Sequence, residues 1–451
     1  MNIGQQVILT NISQTLIAEK LQIRQPNENY TNKASITKML LPILLAILAG
    51  LASPVVNAAN LLFRSKLGSG VSVGAPTNFY PNGSGTGAWQ YITGMDKETG
   101  YNWPITAFGA NFSGVQMITV DPVTPSTIGN YITNQIRSVT GPNGKSSNEL
   151  FQNVKIKGAV GQGGSQAPLL IQRPWTIGDV NDLYITYWFK YSADLAEKLD
   201  SRVPSGNWRT QFEFKTGGYN NTGSGDYRIA TYVMKDTDGQ LYWLTNADNQ
   251  ANGPWSKVDY WNEENHAVPV PVGTWFKFEV YWHRSSGSDG LFWAAINGKE
   301  IVDHHGPNKG VYKLPITRIM VNNAYSGGYA AVESHSTGLE IWTSYPCGWG
   351  MSCYNYDVSA PSIPTSLKLG MSKYTSYAKV SLTWAASSDN VAVAGYYIYR
   401  NGIRIGVTTN ITSFSDSISG AAKGAVYNYT VKAFDAADHL SAASNVVSTV
   451  Y

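Results

Sequence analysis

The fold is decided by a stretch in the second half of the chain, which reads Gly273-Thr274-Trp275-Phe276-Lys277-Phe278-Glu279-Val280-Tyr281-Trp282. Apolar and polar residues alternate from Phe276 onward, and side chains two apart share one face of a strand. Two hairpin signals follow, Asp289-Gly290 and Asn297-Gly298, because tight hairpin turns favour Asn, Asp and Gly. The stretch therefore predicts a strand with one aromatic face that continues into an antiparallel sheet.

The same pattern recurs over residues 59–346. Short runs rich in aromatic and β-branched residues are separated by turn dipeptides such as Asp238-Gly239. Helical patterns are confined to residues 193–199 and 127–138. Many strands without alternating helices favour two packed antiparallel sheets over a parallel sheet. We expect an all-β protein with one large sandwich here.

A second β segment follows a proline-rich linker, Ala360-Pro361-Ser362-Ile363-Pro364. Its strands alternate, and Asn401-Gly402 is a hairpin signal. Residues 361–451 resemble a fibronectin type III domain of the kind attached to bacterial polysaccharide-degrading enzymes. In this resemblance Trp384 is placed like the core tryptophan and Tyr429 like the tyrosine-corner residue. The resemblance implies a second β-sandwich, and residues 347–360 then form a Cys loop and linker.

The large segment also resembles a known family. Over residues 180–345 the long strand, hairpin and Asn-Gly turn are similar to the concanavalin A-like jelly rolls, particularly polysaccharide lyases of the heparin lyase type. The stretch Phe214-Lys215-Thr216-Gly217-Gly218-Tyr219-Asn220 looks like the Phe-Lys-Ala-Gly-x-Tyr stretch of alginate lyases, with Thr216 in place of Ala. The resemblance implies a jelly-roll β-sandwich over residues 59–346 and activity on an acidic polysaccharide.

The N-terminal segment, residues 1–58, has the pattern of an export signal. Lys38-Met39 precedes an apolar run over 40–56. Val56-Asn57-Ala58 then has small residues at the positions that signal peptidase recognises. Proline and glycine interrupt the run, which counts against a membrane-spanning helix. We predict an N-terminal extension with a signal peptide whose true start is Met39, and no stable membrane span after cleavage. The mature protein is then secreted or periplasmic, and bacterial.

The two cysteines, Cys347 and Cys353, lie six positions apart. In an exported protein such a pair predicts a small disulfide loop. A metal site would need further ligands nearby, and the sequence supplies none. The sequence requires no cofactor, although it leaves a calcium requirement open.

Composition excludes two classes of protein. Aromatic residues make up 12% of the chain and charged residues only 14%, which is unlike a disordered chain. A nucleic-acid partner would call for a concentrated basic stripe, and no such stripe occurs. We expect a monomer whose partner is a polysaccharide.

Two polar strand faces suggest where the ligand binds. From Trp208 onward the odd positions Arg209, Gln211, Glu213 and Lys215 are all polar, so the alternation predicts that they share one face. In the strand quoted first, Lys277, Glu279, Tyr281 and His283 lie opposite the aromatic side. We expect the two faces to line one concave groove. The alternative is that both faces are simply solvated and carry cross-strand ion pairs.

The chemistry of a β-eliminating lyase assigns roles to these residues. Such an enzyme must neutralise a sugar carboxylate and move a proton beside it. Arg209, Gln211, Glu213 and Lys215 are the candidate substrate-binding residues, with Trp243 as a sugar-stacking ring. The candidate catalytic residues are Tyr219, Tyr281 and His283.

Two other functions stay open. A glycoside hydrolase needs two carboxylates about 5–10 Å apart, and Glu213 and Glu279 are the only carboxylates on the two polar faces. Hydrolysis is therefore the poorer enzymatic hypothesis. A non-catalytic carbohydrate-binding protein or adhesin with the same groove is the alternative to a lyase.

Overall fold

The computed structural model describes most of the chain after residue 58. The described residues are 59–78, 87–107, 109–119, 123–155, 166–174, 176, 178–200, 206–217, 227–249, 258–310, 312–324, 332–347, 359–409, 411–420, 423–435 and 439–451. Residues 1–58, with the predicted signal peptide and Met39, lie outside them.

The first sandwich is built from nineteen described strands and two short helical turns. In chain order the strands are β1 (Leu61–Ser65), β2 (Ser72–Val73), β3 (Thr77–Asn78), β4 (Gly87–Met95), β5 (Asn102–Trp103), β6 (Phe112–Ile118), β7 (Ile132–Thr140), β8 (Ser146–Val154), β9 (Ala167–Gln172), β10 (Asp182–Tyr191), β11 (Trp208–Thr216), β12 (Arg228–Lys235), β13 (Leu241–Asn249), β14 (Val258–Asn265), β15 (Phe276–His283), β16 (Leu291–Ile296), β17 (Lys299–His305), β18 (Ile316–Ala324) and β19 (Val332–Trp342). The turns are a 3₁₀ turn, Ile128–Asn130, and α1 (Leu195–Lys198).

These strands form two sheets. The eight-stranded sheet has the order β17-β16-β15-β10-β19-β8-β7, with β1 also paired to β19. The eleven-stranded sheet has the order β14-β13-β12-β11-β18-β9-β6-β4-β2, with β3 and β5 also paired to β4. The assigned ladders in both sheets are antiparallel, which confirms the all-β prediction. The helix predicted over residues 127–138 is wrong, because β7 occupies most of that range.

The core lies between the two sheets and is largely aromatic. Phe212 stacks on Phe278 at 5.8 Å between ring centroids, and Phe214 meets Trp282 at 5.0 Å. Each pair joins β11 of one sheet to β15 of the other. The alternation of Phe and Trp with polar residues therefore fixes which face of each strand turns inward, since apolar area removed from water stabilises the fold.

The C-terminal sandwich has seven described strands. They are β20 (Thr365–Lys373), β21 (Tyr377–Ala385), β22 (Val393–Arg400), β23 (Ile403–Thr408), β24 (Ser413–Ser419), β25 (Val426–Asp435) and β26 (Val447–Val450). One sheet has the order β20-β21-β24 and the other β23-β22-β25-β26. Trp384 and Tyr429 are both buried in its core. This three-on-four arrangement is the second β-sandwich predicted from the sequence; the exact domain boundaries stay predictions.

The C-terminal sandwich packs on the outer face of the eight-stranded sheet. Phe434 and Ala394 join a buried apolar cluster with Tyr281, Trp293 and Tyr345 of the first sandwich. The two sandwiches thus share an apolar interface in addition to the linker that connects them.

Polar contacts reinforce this interface. Arg64 on β1 donates a hydrogen bond to the carbonyl of Asp435 at 2.8 Å and pairs with Glu340 at 3.1 Å. The Tyr397 hydroxyl donates to the carbonyl of Glu98 at 3.2 Å. Since Arg64 and Glu340 are both buried, their pairing satisfies charges that would otherwise be costly to bury.

The predicted disulfide is only partly within the described residues. Cys347 is buried, and no cysteine among the described residues is free. Cys353 lies outside them, so the pairing stays a prediction. No helix of the described part is long and apolar enough to span a bilayer.

Candidate functional site

A β-bulge in β11 divides the four polar residues that the sequence predicted on one face. Thr210 pairs with Tyr232, but the next pair is Phe212 with Thr231, so Gln211 is an extra residue. An extra residue changes which side chains share a face. Arg209 and Gln211 therefore point inward with the phenylalanines, while Glu213 and Lys215 point outward.

Arg209 and Gln211 belong to the core, so their predicted place in a groove is wrong. Both are almost fully buried. Arg209 donates to the hydroxyl of Ser334 on β19 of the opposite sheet. Gln211 accepts a hydrogen bond from Tyr191 and donates one to the Tyr187 oxygen at 3.0 Å. These bonds cross the interior and join the two sheets.

The outward residues of β11 belong to a row that crosses six strands of the eleven-stranded sheet. Residues that are direct partners in an antiparallel ladder lie side by side on one face. The row follows successive pairings and consists of Asp248, Arg228, Lys215, Arg318, Gln172 and Phe112. We call its three consecutive cationic residues, Arg228, Lys215 and Arg318, the cation row.

A second row runs parallel to the first. By the same pairings it consists of Asn246, Ala230, Glu213, Met320, Leu170, Gly114 and Tyr91. Glu213 thus lies beside Lys215, in the middle of the cation row. Tyr232 follows two residues after Ala230 and so lies on the same face of β12.

Two buried carboxylates hold the cation row in place. Glu213 pairs with Lys215 at 3.1 Å and with Arg228 at 3.5 Å. Arg228 also makes a two-pronged contact with Asp248, with its Nε 2.8 Å from Oδ1. Burial lowers the pKa of the Arg228 guanidinium, but Tyr232, Glu213 and Asp248 outweigh burial and hold that pKa above its usual range. Arg228 therefore stays cationic.

These charges are buried although they lie on an outer face. Lys215 is 7% exposed and Glu213 is 5% exposed. Lysine and glutamate rarely reach this burial on a plain solvated surface. The predicted alternative of a simply wet face is therefore wrong for these two residues of β11, although the cross-strand ion pairs that it expected are present.

An aromatic patch lies beside the cation row on the same face. It consists of Trp89, Tyr91 and Phe112; the centroid of Phe112 is 4.3 Å from that of Trp89 and 5.0 Å from that of Tyr91. Tyr91 is 43% exposed. Because Phe112 is two strands from Arg318, the patch and the cations are roughly 10 Å apart. A sugar chain could span both.

Tyr281 and His283 lie elsewhere, so the prediction that they share a groove with β11 is wrong. They are on β15 of the eight-stranded sheet, and their outer face is turned away from the cation row. Asp182 accepts a hydrogen bond from the Tyr281 hydroxyl at 2.6 Å and contacts His283 Nδ1 at 2.8 Å. Tyr281 is also covered by the interface with the C-terminal sandwich.

Two further predicted residues have different outcomes. Trp243 is 1% exposed and packs against Phe276 in the core, so it offers no ring to a sugar and its predicted role is wrong. Tyr219 lies outside the described residues, and its predicted catalytic role stays a prediction.

Sequence reasoning missed most of the outer face. Arg228 and Arg318 come from strands that meet β11 only through the sheet pairing. Trp89 and Phe112 come from the glycine-rich part of the chain, where strand patterns are weak. Among the described residues, no group of three or more His, Cys, Asp or Glu side chains is placed to hold a metal ion.

Comparison with known proteins gives partial matches. No protein-family model matches the chain. The chain is 38% identical over 128 residues to a chitinase of Paenibacillus xylanexedens, covering 27% of this chain and 23% of the relative. It is 45% identical over 92 residues to chitinase A1 of Niallia circulans, covering 20% and 12%. The chain thus spans less than a quarter of the length of these curated relatives.

The structure of this chain resembles some solved structures, with low TM-scores. An endo-β-1,4-glucuronan lyase of the fungus Trichoderma reesei gives a TM-score of 0.35 at 11% identity, covering 48% of this chain and 92% of that one. An alginate lyase gives a TM-score of 0.33 at 15% identity, covering 46% and 82%.

Proposed function

We propose that the outer face of the eleven-stranded sheet binds an acidic polysaccharide and cleaves it by β-elimination. The observation that carries this proposal is the cation row, Arg228, Lys215 and Arg318, in consecutive pairings beside an aromatic patch. Cations bind the carboxylates of a uronate chain, and the rings offer apolar faces to its pyranoses. The row carries three positive charges against the two negative charges of Glu213 and Asp248.

The reaction needs cations that stabilise the sugar carboxylate and a group that transfers the proton. Elimination removes the proton from the carbon beside the carboxylate, forms a carbon–carbon double bond and expels the glycosidic oxygen, which takes up a proton. Arg318 and Lys215 stabilise the negative charge that develops on the carboxylate in the transition state. Tyr232, on the same face, is our candidate for proton transfer, together with Tyr219 beyond the end of β11.

The curated relatives fit this context. Those reported above are named as chitinases, and the 92-residue match to chitinase A1 is close in length to the C-terminal segment, residues 361–451. We infer that the protein acts outside the cell on a polysaccharide and that the C-terminal sandwich accompanies the active one.

The experiment is an assay of the whole exported protein on a panel of polyuronates, followed by ultraviolet absorbance of the new unsaturated ends. We expect absorbance to rise with at least one polyuronate and not with neutral glucans. Lys215→Ala and Arg318→Ala should each lower kcat/KM by about a hundredfold. Lys379→Ala, at an exposed position of β21 in the C-terminal sandwich, is the matched control and should leave kcat/KM unchanged.

A second function, binding without cleavage, fits the same cations and rings. It predicts that a polyuronate binds with an affinity that falls in Arg318→Ala, while no unsaturated ends form. Absence of both binding and cleavage across the panel would overturn the assignment of this face.

A further inference from the structure

A polar cleft of about 350 Å³ opens on the outer face of the eight-stranded sheet, on the opposite side of the sandwich from the cation row. Trp188 of β10 forms part of its wall. The direct partners of Trp188 in the sheet are Lys277 on β15 and Thr337 on β19, and both also line the cleft. Trp188 is only half-buried, whereas its neighbours Tyr187 and Phe189 point into the core.

A glycine keeps the edge of this tryptophan open. The ladder between β10 and β19 shifts register between Thr186 and Trp188, and Gly338 lies in that irregularity with φ at +64°. A Cβ atom at position 338 would stand 3.3 Å from Cδ1 of Trp188. Glycine is suited to the left-handed backbone here, and its lack of a side chain leaves space beside the indole.

The charges around the cleft favour an anion. The Lys277 ammonium lies 5.6 Å from the centroid of the Trp188 ring. Arg64 and Glu340 pair at 3.1 Å, and the remaining charged groups of the lining are Lys66, Lys277 and Glu98. The lining thus carries three cations against two carboxylates. A carboxylate is a stronger partner for an ammonium than an aromatic ring is.

The far wall supplies neutral hydrogen-bonding groups. It is formed by the hairpin between β7 and β8, with Asn143, Ser146, Ser147 and Asn148 in the lining. Amide and hydroxyl groups both donate and accept hydrogen bonds, as sugar hydroxyls do. An aromatic ring opposite a polar wall suits a pyranose, which has an apolar face and a polar rim.

We propose that this cleft is a second carbohydrate-binding site that takes a carboxylated sugar unit of an oligosaccharide. The pyranose stacks on Trp188 and its carboxylate pairs with Lys277. The site is separate from the cation row, and it does not depend on cleavage at that row.

The test is calorimetric titration of the full exported chain with a 1,4-linked uronate tetrasaccharide, with cellotetraose as the neutral probe. The protein carries Lys215→Ala and Arg318→Ala throughout, which weakens the cation row and stops turnover there. We expect one binding event for the uronate and an affinity for cellotetraose at least about tenfold lower. Lys277→Gln should weaken uronate binding by about tenfold, and Trp188→Ala should weaken it at least as much.

Two residues outside the cleft, Lys190 and Trp275, provide matched controls. Lys190 follows Trp188 by two positions on β10 and so lies on the same face of the sheet. Lys190 lies over Trp275 at 4.9 Å, and neither residue lines the cleft. Lys190→Gln and Trp275→Ala should leave the affinity within about twofold. Trp188→Phe keeps an aromatic ring at this position and should retain part of the binding. It therefore distinguishes loss of the stacking ring from a general loss of folding in Trp188→Ala.

The outcomes separate this inference from the proposed function. If Lys277→Gln and Trp188→Ala bind the uronate like their parent, the cleft site is wrong, whatever the cation row does. If cellotetraose and the uronate bind equally, the assignment to carboxylated sugars is wrong. If the protein with an intact cation row shows neither cleavage nor a second event while Lys277→Gln still removes binding, the proposed function fails and the cleft site stands.

Discussion

Lys215 and Arg318 lie directly opposite each other in the ladder between β11 and β18, with both side chains on the outer face of the eleven-stranded sheet. Adjacent like charges in a sheet are destabilising unless something compensates them. Glu213 compensates for Lys215 at 3.1 Å.

The first prediction concerns Arg318, which pairs with Lys215 across the ladder. Arg318→Gln removes one charge of the cation row and should change the free energy of unfolding by less than about 0.5 kcal/mol. The same change should weaken binding of a polyuronate. Urea unfolding and a binding titration on one preparation measure both effects. A variant that is less stable yet binds normally would mean that Arg318 has a structural role only.

The fold could be predicted because it depends on alternation. The aromatic residues of β15 and β11 alternate with polar ones, and apolar faces must turn inward wherever the strands pair. The Asn297-Gly298 turn between β16 and β17 was also predicted correctly, and both of its residues have positive φ.

The site could not be predicted for two physical reasons. First, the bulge at Gln211 has no marker in its residue type, yet it moves Arg209 and Gln211 from the outer face to the core. Second, Lys215 gains its neighbours Arg228 and Arg318 through strand pairing, and β18 follows β11 only after residues 217–315. Periodicity within one strand carries no information on either point.

The second prediction concerns Arg209. Its side chain is fully buried, its guanidinium carbon lies 5.0 Å from the centroid of Tyr191, and burial lowers its pKa to about 10. Arg209→Lys should lower the free energy of unfolding by about 2 kcal/mol, because a lysine cannot reproduce the planar fork and buries a more strongly hydrated charge. Urea unfolding measures this loss.

The control for Arg209 is the same change at an exposed position. Arg404→Lys on β23 should alter the free energy of unfolding by less than about 0.5 kcal/mol. Equal stability of Arg209→Lys and the unaltered protein would contradict the interior role of Arg209.

The third prediction concerns pH. Asp182 binds His283 and Tyr281 through the same Oδ1 atom. The hydrogen bond to Asp182 raises the pKa of His283. Burial raises the pKa of Asp182, but the hydrogen bonds from His283 and Tyr281 outweigh it and leave that pKa below its ordinary value. Asp289, 3.7 Å from His283 Nε2, and Lys309 also act on this pair.

The directions of these two pKa shifts define the pH range in which Asp182 and His283 together stabilise the fold. The raised pKa of His283 gives stability that is complete below its unfolded value of about 6.5 and is lost as pH rises through the folded value. The lowered pKa of Asp182 gives stability above its unfolded value of about 3.9 that is lost as pH falls further. Asp182→Asn should therefore lower the thermal midpoint more at about pH 5.5 than at about pH 8.5. Equal losses at both pH values would show that only the neutral hydrogen bonds matter.

The fourth prediction concerns the interface between the two sandwiches, which the sequence did not predict. Val407 of β23 is partly buried against the cluster that holds Tyr281 and Phe434, and its Cγ1 lies 2.7 Å from where a Cβ on Gly100 would be. Val407→Glu would bury a carboxylate in an apolar interface, which is costly. We expect it to separate the sandwiches while each keeps its own core.

Differential scanning calorimetry of the full chain measures this separation, because two sandwiches joined by a buried interface unfold together and independent ones unfold separately. The unaltered protein should show one transition and Val407→Glu two, with the first at a lower temperature. Ser415→Glu introduces the same charge at an exposed position of β24 in the other sheet and should keep the single transition. If Val407→Glu also unfolds in one step at an unchanged midpoint, the interface contributes nothing to stability.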